Sequence, residues 1–443
     1  MRFRLLPLAL LALGFSPAWA TPANLNGQSG TEVVQGARRE ALMTLAQPIT
    51  TLTANALNAD FTWVAEFTRN VQIIGAGEGS HGSAEHFQFK DRLFRELVRQ
   101  AGFTVLGIEA AFDDGYRMDQ YVRGFGSDDP VMAMRQFDFW TWQTQEMRDL
   151  LVWMRQSNQT RGKGPELRVM GFDLQDPAGS LRLMQELAPD AGRLHDALQT
   201  LLIWSLGNEP WAELKAQRAE ERAPFLEGVT ELLGAVQALP PASPDREVLH
   251  SLAQTVRQAS IRALVPDGTT GANLRDAAMA GNVRQLLAGL FPGQKAMLWA
   301  HNFHVSKVGA HGQPYRPMGS HLARDLGTRY RAIGLSYAEG EVRAIDTQGG
   351  PVPLKVAPAR PESLDMLAMG SAPAVFIDLR RAVLNPVLRS WWVNPVDFAG
   401  VGALFTAGTS AHVPIELPAA FDGVILVRRS TASTLLSSSA PQR

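Results

Sequence analysis

Short apolar runs separated by amphipathic stretches dominate the middle of the chain. Residues 71–75, 103–108, 167–172 and 296–300 are four such runs, each of strand length and bounded by polar or turn-forming residues. Each leads to a side chain with acid–base chemistry: Glu78 and His81, then Glu109, Asp173, and His301 with His304. Between the first two runs the period changes. From Ser83 to about residue 100, Phe87, Phe94 and Leu97 fall at helical spacing, and Ser83 supplies an N-cap. Strand, helix and strand at this spacing predict a βαβ unit, with a parallel sheet and a right-handed crossover. Open parallel sheets bind ligands outside the carboxyl ends of their strands. Four runs that bring acid or imidazole to that edge therefore predict an active site there.

Residues 188–289 read as a strand-poor helical lobe, with "PPASP" at 240–244 breaking two amphipathic helices. The segment "NLRDAAMAGNVRQLLAGLFPG" is a further helix, stopped by Pro292 and Gly293, that runs into the strand before His301. Near its start, Arg275 and Asp276 can cap the helix or reach the same cleft. Later strand-like runs lie at 330–336, 342–346, 374–377 and 423–427. The first two, joined across "AEGE", are expected to form an antiparallel hairpin. The expected architecture is α/β: a mostly parallel central sheet flanked by helices, its halves at 45–187 and 290–429, with the lobe inserted between them. Residues 21–44 are expected to be a linker and 430–443 a disordered tail.

The first twenty residues form a targeting pattern. Arg2 and Arg4 precede an apolar run at 5–15, and Ala18-Trp19-Ala20 supplies a small-x-small cleavage site. The run is too short to span a bilayer as a stable helix. Cleavage after Ala20 and an exported, periplasmic product are expected, with no membrane attachment afterwards.

Composition narrows the partners. The 443 residues carry a net charge of −1, so nothing points to nucleic acid or an anionic membrane. The absence of cysteine removes disulfides, thiolate catalysis and Cys-type zinc sites together. Trp140, Trp142, Trp204, Trp211 and Phe225 can line a pocket for a bulky apolar ligand or fill the core, and Trp142 is taken as a substrate contact.

The turn Gly77-Glu78-Gly79-Ser80-His81-Gly82 holds the candidate chemistry. It is not a P-loop, since no Lys-Ser/Thr follows. As a dinucleotide turn it would set a carboxylate where a pyrophosphate must approach. The chain has no G-x-S-x-G elbow, so water is the expected nucleophile and a histidine with an unperturbed pKa of about 6.5 suits it as base. Glu78 and Glu109 would divide two tasks, orienting the imidazole and holding the water. Lys90 falls on the apolar stripe of its helix. It either snorkels to solvent, pairs with Glu78 or Glu109, or meets a substrate oxygen. Donors for an oxyanion are Lys90, a protonated His301 or His304, or amides of the glycine bend. Asp173, Arg275, Asp276 and Trp142 are the expected substrate-side residues. The same Glu/His set has zinc or manganese ligand types, which makes a metal-dependent hydrolase the competing reading; a non-catalytic periplasmic binding protein is the third.

The motifs G-E-x-S-H-G, residues 103–109, "NLRDAAMAGNV" and "LWAHNFHVSK", in this order, resemble the erythromycin esterase family over about residues 45–428. The resemblance implies an α/β core with a helical lobe, a deep cleft, and cofactor-free ester hydrolysis by a histidine base acting on water. It places His81 as the catalytic histidine, Glu78 and Glu109 as its acidic partners, and His301 with His304 as the second histidine segment. Lys90 stands where relatives carry Arg or Lys. The implied partner is a small-molecule ester or lactone, with an erythromycin-type macrolide as the named substrate. The lobe is the least recognisable part.

Overall fold

A computed structural model describes residues 28–436, apart from 55–58, 135–138, 163, 175–176, 189–191, 205–215, 244, 266–267, 310–311, 313, 348 and 407–408. The targeting pattern, the Trp204 side chain and Trp211 lie outside the described residues. The strands are β1 (Gln47–Ile49), β2 (Ile73–Ala76), β3 (Phe103–Ala111), β4 (Arg168–Asp173), β5 (Lys295–Trp299), β6 (Tyr330–Ile345), β7 (Pro351–Val356), β8 (Ala374–Asp378), β9 (Val396–Ala399), β10 (His412–Ile415) and β11 (Gly423–Ser430). Among the described residues, nine of them build one sheet in the order β1-β8-β11-β6-β2-β5-β3-β4, with β7 paired to β6, while β9 and β10 form a small separate pair. From β11 to β4 every neighbouring pair is parallel, and the β1–β8, β8–β11 and β6–β7 pairs are antiparallel.

Near-continuous apolar runs produce this sheet because both of its faces are covered. Successive residues point to opposite faces. Ile73, Val105, Leu298 and Leu426 join one buried cluster, and Ile74, Leu106, Met297 and Val427 join the other. The first cluster runs without interruption into Leu201, Leu232 and Leu252 of the helical region. The lobe's helices, Arg193–Trp204, Ala219–Gln237 and Arg246–Ala263, therefore share the sheet's core rather than owning a separate one.

The helix Ala84–Ala101 begins at Ser83, whose Oγ accepts from the His86 amide, and ends at Gly102 in the left-handed region at φ 69°. It crosses from β2 to β3 with β5 lying between them in the sheet. Its far side is buried as well. Arg92, two residues after Lys90, is fully buried. Its Nη2 lies 2.5 Å from Asp60 Oδ1, and Nη1 donates to the Thr51 carbonyl.

Three expectations are corrected. Residues 28–44 of the expected linker lie in the helix Gln28–Leu45, which buries Leu42 completely. The hairpin across "AEGE" does not exist: β6 runs unbroken through it for 16 residues, and the turn comes later, with β7. Glycine allows this at Gly340, where φ is 123° and a Cβ would strike the Ser430 backbone. The start of the presumed disordered tail is structured. Ser433 is fully buried, Thr431 donates to Glu85, and the Leu436 amide reaches the Gln143 carbonyl at 2.9 Å; residues 437–443 lie outside the description.

The Arg92–Asp60 pair is a test of this packing. Asp60→Ala strands a buried guanidinium and is expected to lower unfolding free energy by about 3 kcal/mol. The measurement is a fall in the urea midpoint with unchanged slope; an unchanged midpoint would show that the Thr51 carbonyl suffices.

Candidate active site

The bend after β2 carries glycine for reasons of space. A Cβ on Gly77 would strike Asn302 Oδ1, one on Gly79 the Ala399 side chain, and one on Gly82 the Arg343 carbonyl. Backbone bonds clamp the same segment: Gly77 N to Ile333 O at 2.8 Å, Asn302 N to Glu78 O at 2.9 Å, and Val401 N to Gly79 O at 2.8 Å.

Glu78 is fully buried and stands at the centre of a polar cluster. Its Oε1 lies 2.7 Å from His81 Nδ1, while Oε2 accepts from Trp299 Nε1 at 2.8 Å and from Lys90 Nζ. Burial pushes this carboxyl up, but the Lys90 charge and the His81 contacts outweigh it and hold the pKa at about 2. An ionised Glu78 only accepts, which assigns the proton of a neutral His81 to Nδ1 and leaves Nε2 with a lone pair. Among the described residues nothing hydrogen-bonds Nε2.

Lys90 pairs with Glu78 and does not reach solvent. Its side chain has no exposure, and Nζ sits 4.1 Å from the Trp299 ring centroid. Burial lowers its pKa to about 8 against the pull of Glu78.

A second cluster forms at the ends of β3, β4 and β5. Glu109 Oε1 is 2.8 Å from Arg275 Nη2 and 3.2 Å from His304 Nε2, and Oε2 accepts from the His301 amide at 2.9 Å. Burial favours a neutral Glu109, but His304 and then Arg275 hold its carboxyl well below the usual range. Arg275 grips Asp173 through Nε and Nη2 at 2.9 and 2.6 Å. His304 Nδ1 lies 2.8 Å from Asp276 Oδ1, which also takes the Met318 amide at 2.7 Å. Burial opposes a charged His304, yet Asp276 and Glu109 outweigh it and raise its pKa to about 10. Arg275 Nη1 stands 3.1 Å from His304 Nε2. With His304 charged, that contact is an approach of two cations, and the shared Glu109 oxygen offsets it.

His301 joins the two clusters and is neutral. Its ring centroid is 5.1 Å from that of His81. Nε2 faces the Val401 carbonyl at 3.1 Å, and Nδ1 accepts from Phe303 N at 3.3 Å as the N-cap of the helix Asn302–Val305. Burial, then the nearby His81, lower its pKa to about 3. The expectation of a protonated His301 as a donor is therefore corrected: both nitrogens are committed to backbone.

Side chains of His81, His304 and Arg275 keep 15%, 13% and 16% exposure. Asp173, Asp276 and Trp142 stand behind them. Both acids have no exposed surface, and Trp142 is buried with Nε1 donating to the Glu109 carbonyl at 3.1 Å. Phe225 is a core residue. Among the described residues no group of three or more His, Asp or Glu side chains is arranged to hold a metal ion.

Sequence reasoning missed three contributors. Trp299 ends β5 with its indole on Glu78; a tryptophan two residues before His301 was the available signal. Asn302 donates to the Leu335 and Ala399 carbonyls at 2.8 and 3.1 Å, locking the histidine segment to β6 and β9. Tyr315 brings its hydroxyl 3.3 Å from His304 Nδ1, and its irregular segment gave no signal.

A family model described as erythromycin esterase matches residues 98–430. The chain belongs to the erythromycin esterase family. The matched span contains Glu109, Asp173, Arg275, Asp276, His301 and His304, and the bend with Glu78 and His81 precedes it. Erythromycin esterase type I of Escherichia coli is 26% identical over 309 residues, covering 63% of this chain and 73% of its own. A Bacillus cereus protein of known crystal structure superposes with a TM-score of 0.79 at 24% identity, over 94% of this chain and 100% of that one. An erythromycin esterase mutant solved in its open conformation gives 0.66 at 20% identity, over 88% of this chain and 99% of the other. These two structures speak for the fold. Membership of the erythromycin esterase family, with its hydrolase relatives, supports a hydrolase.

The Glu78–Lys90 pair makes stability depend on pH. The folded pKa of Glu78 is depressed from 4.5 to about 2, so its ionisation stabilises the fold above pH 4.5 and that contribution is lost as pH falls through 2. Lys90, at about 8, keeps its proton throughout this window and adds no slope. Lys90→Met removes the cation and leaves burial to push Glu78 up. A deficit of roughly 3 kcal/mol at pH 7 is expected, shrinking toward pH 3. Urea unfolding at both pH values measures it, and a deficit independent of pH would sink the pairing account.

Proposed function

We propose that the protein is an exported hydrolase that cleaves a carboxylic ester or macrolactone, with an erythromycin-type macrolide as the favoured substrate and His81 as the base that activates water. The observation that carries this reading is the state of His81. One nitrogen is fixed on a buried, ionised glutamate, and the other has no hydrogen bond among the described residues in a side chain that keeps 15% exposure.

In the proposed reaction Nε2 takes a proton from water while the water oxygen attacks the carbonyl carbon. Glu78 steadies the imidazolium that forms, since its charge sits 2.7 Å from Nδ1. The tetrahedral oxyanion needs donors, and the charged His304 and Arg275 are the cationic groups with exposed surface. Collapse breaks the C–O bond, and the leaving alkoxide recovers the proton from His81. Arg2, Arg4, the apolar run 5–15 and Ala18-Trp19-Ala20 support export. Among the described residues no helix is long and apolar enough to cross a membrane.

His81→Ala is expected to cost about 100-fold to 10,000-fold in turnover with an unchanged circular dichroism spectrum. Adding Glu78→Gln should cost little more, because the two act as one unit. The substrate assay is mass spectrometry after incubation with macrolides of several ring sizes beside simple esters. A His81-dependent gain of one water identifies the macrolide. Cleavage of simple esters alone discards the macrolide, and no cleavage by the wild-type protein of any ester or lactone overturns the hydrolase.

A further inference from the structure

The catalytic turn is followed by another histidine, His86, which faces neither solvent nor the reacting groups. It is fully buried against the ring of Tyr337, whose centroid lies 5.6 Å away. A phenylalanine would fill such a place without the desolvation that an imidazole suffers. What the imidazole adds is two polar contacts. Nδ1 accepts from the Gly79 amide at 3.3 Å, and Nε2 faces the Ser336 carbonyl on β6 at 3.3 Å.

Those contacts fix the tautomer. Nδ1 must be the acceptor and Nε2 must carry the proton, so the ring is neutral. Burial, and then the Lys90 charge, lower its pKa to about 4, which agrees with that state. Gly79 is the residue immediately after Glu78. Its carbonyl is held by Val401 N, and Ser336 in turn takes the Ala399 amide on Oγ at 3.0 Å. His86 thus adds a side-chain acceptor for the Gly79 amide to the backbone clamp on the glycine bend.

We infer that His86 is a positioning residue, a neutral imidazole that sets the geometry of the Glu78–His81 pair by holding the Gly79 amide. For its kinetic consequence the inference rests on the hydrolase reading. Its spectroscopic consequence does not.

Three substitutions separate this role from simple core filling. His86→Phe keeps the volume and removes both contacts. His86→Asn places an oxygen near the position of Nδ1 and so restores the acceptor for Gly79. His86→Gln places an amide donor near the position of Nε2 and restores only the Ser336 contact. With intact folding, His86→Phe is expected to lower kcat by about 10-fold to 100-fold with KM changed less than about twofold, the usual effect of a misplaced catalytic group. His86→Asn should recover most of that loss and His86→Gln little of it.

The independent readout is the proton NMR resonance of His81 Nδ1–H on Glu78. It should shift or broaden in His86→Phe and return in His86→Asn, even if no ester is ever turned over. An unchanged resonance in His86→Phe overturns the inference. So does equal impairment of Phe, Asn and Gln variants, which would mark a merely structural site. If His86→Phe does not fold, the Asn and Gln variants decide alone, and equal behaviour of those two overturns it.

Discussion

A carboxylate with no access to water holds this site together. Burying Glu78 alone would cost several kcal/mol or force it to take a proton. It stays ionised because three donors from three elements converge on it: His81 from its own bend, Lys90 from the helix Ala84–Ala101, and Trp299 from the end of β5. Each donor then has its own position dictated. Lys90 must lie on an otherwise apolar stripe, and Trp299 must turn its indole edge inward. The bend must come so close to β6 and β9 that Gly77 and Gly79 cannot carry a side chain. The glycines serve close approach, which is why a phosphate-like spacing occurs without phosphate chemistry.

Sheet order does the rest of the assembly. Because β5 lies between β2 and β3, the segment after it stands between Glu78 and Glu109, and His301 touches both sides through ring and amide. The helix Thr269–Gly289 leads directly into β5 and delivers Arg275 and Asp276 to the same edge. Residues separated by more than two hundred positions therefore meet through one run of parallel neighbours, where strand ends are the natural place for a ligand.

Much of this was legible, and the reasons for the misses are physical. Strands buried on both faces announce themselves as apolar runs, so β2, β3, β4 and β5 and the acids and histidines beyond them could be read directly. Lys90 could be suspected because a charge on an inward stripe needs a partner. Arg92 gave no such warning, since its partner Asp60 lies in the single 3-10 turn Ala59–Phe61, too short to show a periodic pattern. The hairpin error at "AEGE" came from reading Gly340 as a turn. In the sheet that glycine relieves a clash with the backbone of β11 while the strand continues. The Ser/Thr-rich segment after 430 looked featureless because its partners are Glu85 and Glu146 in the first turns of two helices. Composition carries no trace of such contacts.

The two histidines of "HNFH" show how far environment overrides residue type. His301 spends one nitrogen on a strand carbonyl and the other on a helix amide, and it sits beside His81. The neutral form is the one that fits, because a proton on Nδ1 would oppose the Phe303 amide and add charge next to the proposed base. His304, three residues later, presents each nitrogen to a carboxylate, and the charged form wins despite burial. For the proposed reaction this division has a consequence. A base must lose charge-stabilising competition from its neighbours, and an oxyanion donor must already carry its proton. A neutral His301 leaves His81 free to become the imidazolium beside Glu78, while a charged His304 needs no proton transfer before an oxyanion forms. The developing positive charge on His81 and negative charge on the carbonyl oxygen then appear together, each facing a preset opposite charge. Exchanging the two environments would place a cation against the base and a neutral ring against the oxyanion, so the order of carboxylates around the segment matters more than the presence of two histidines.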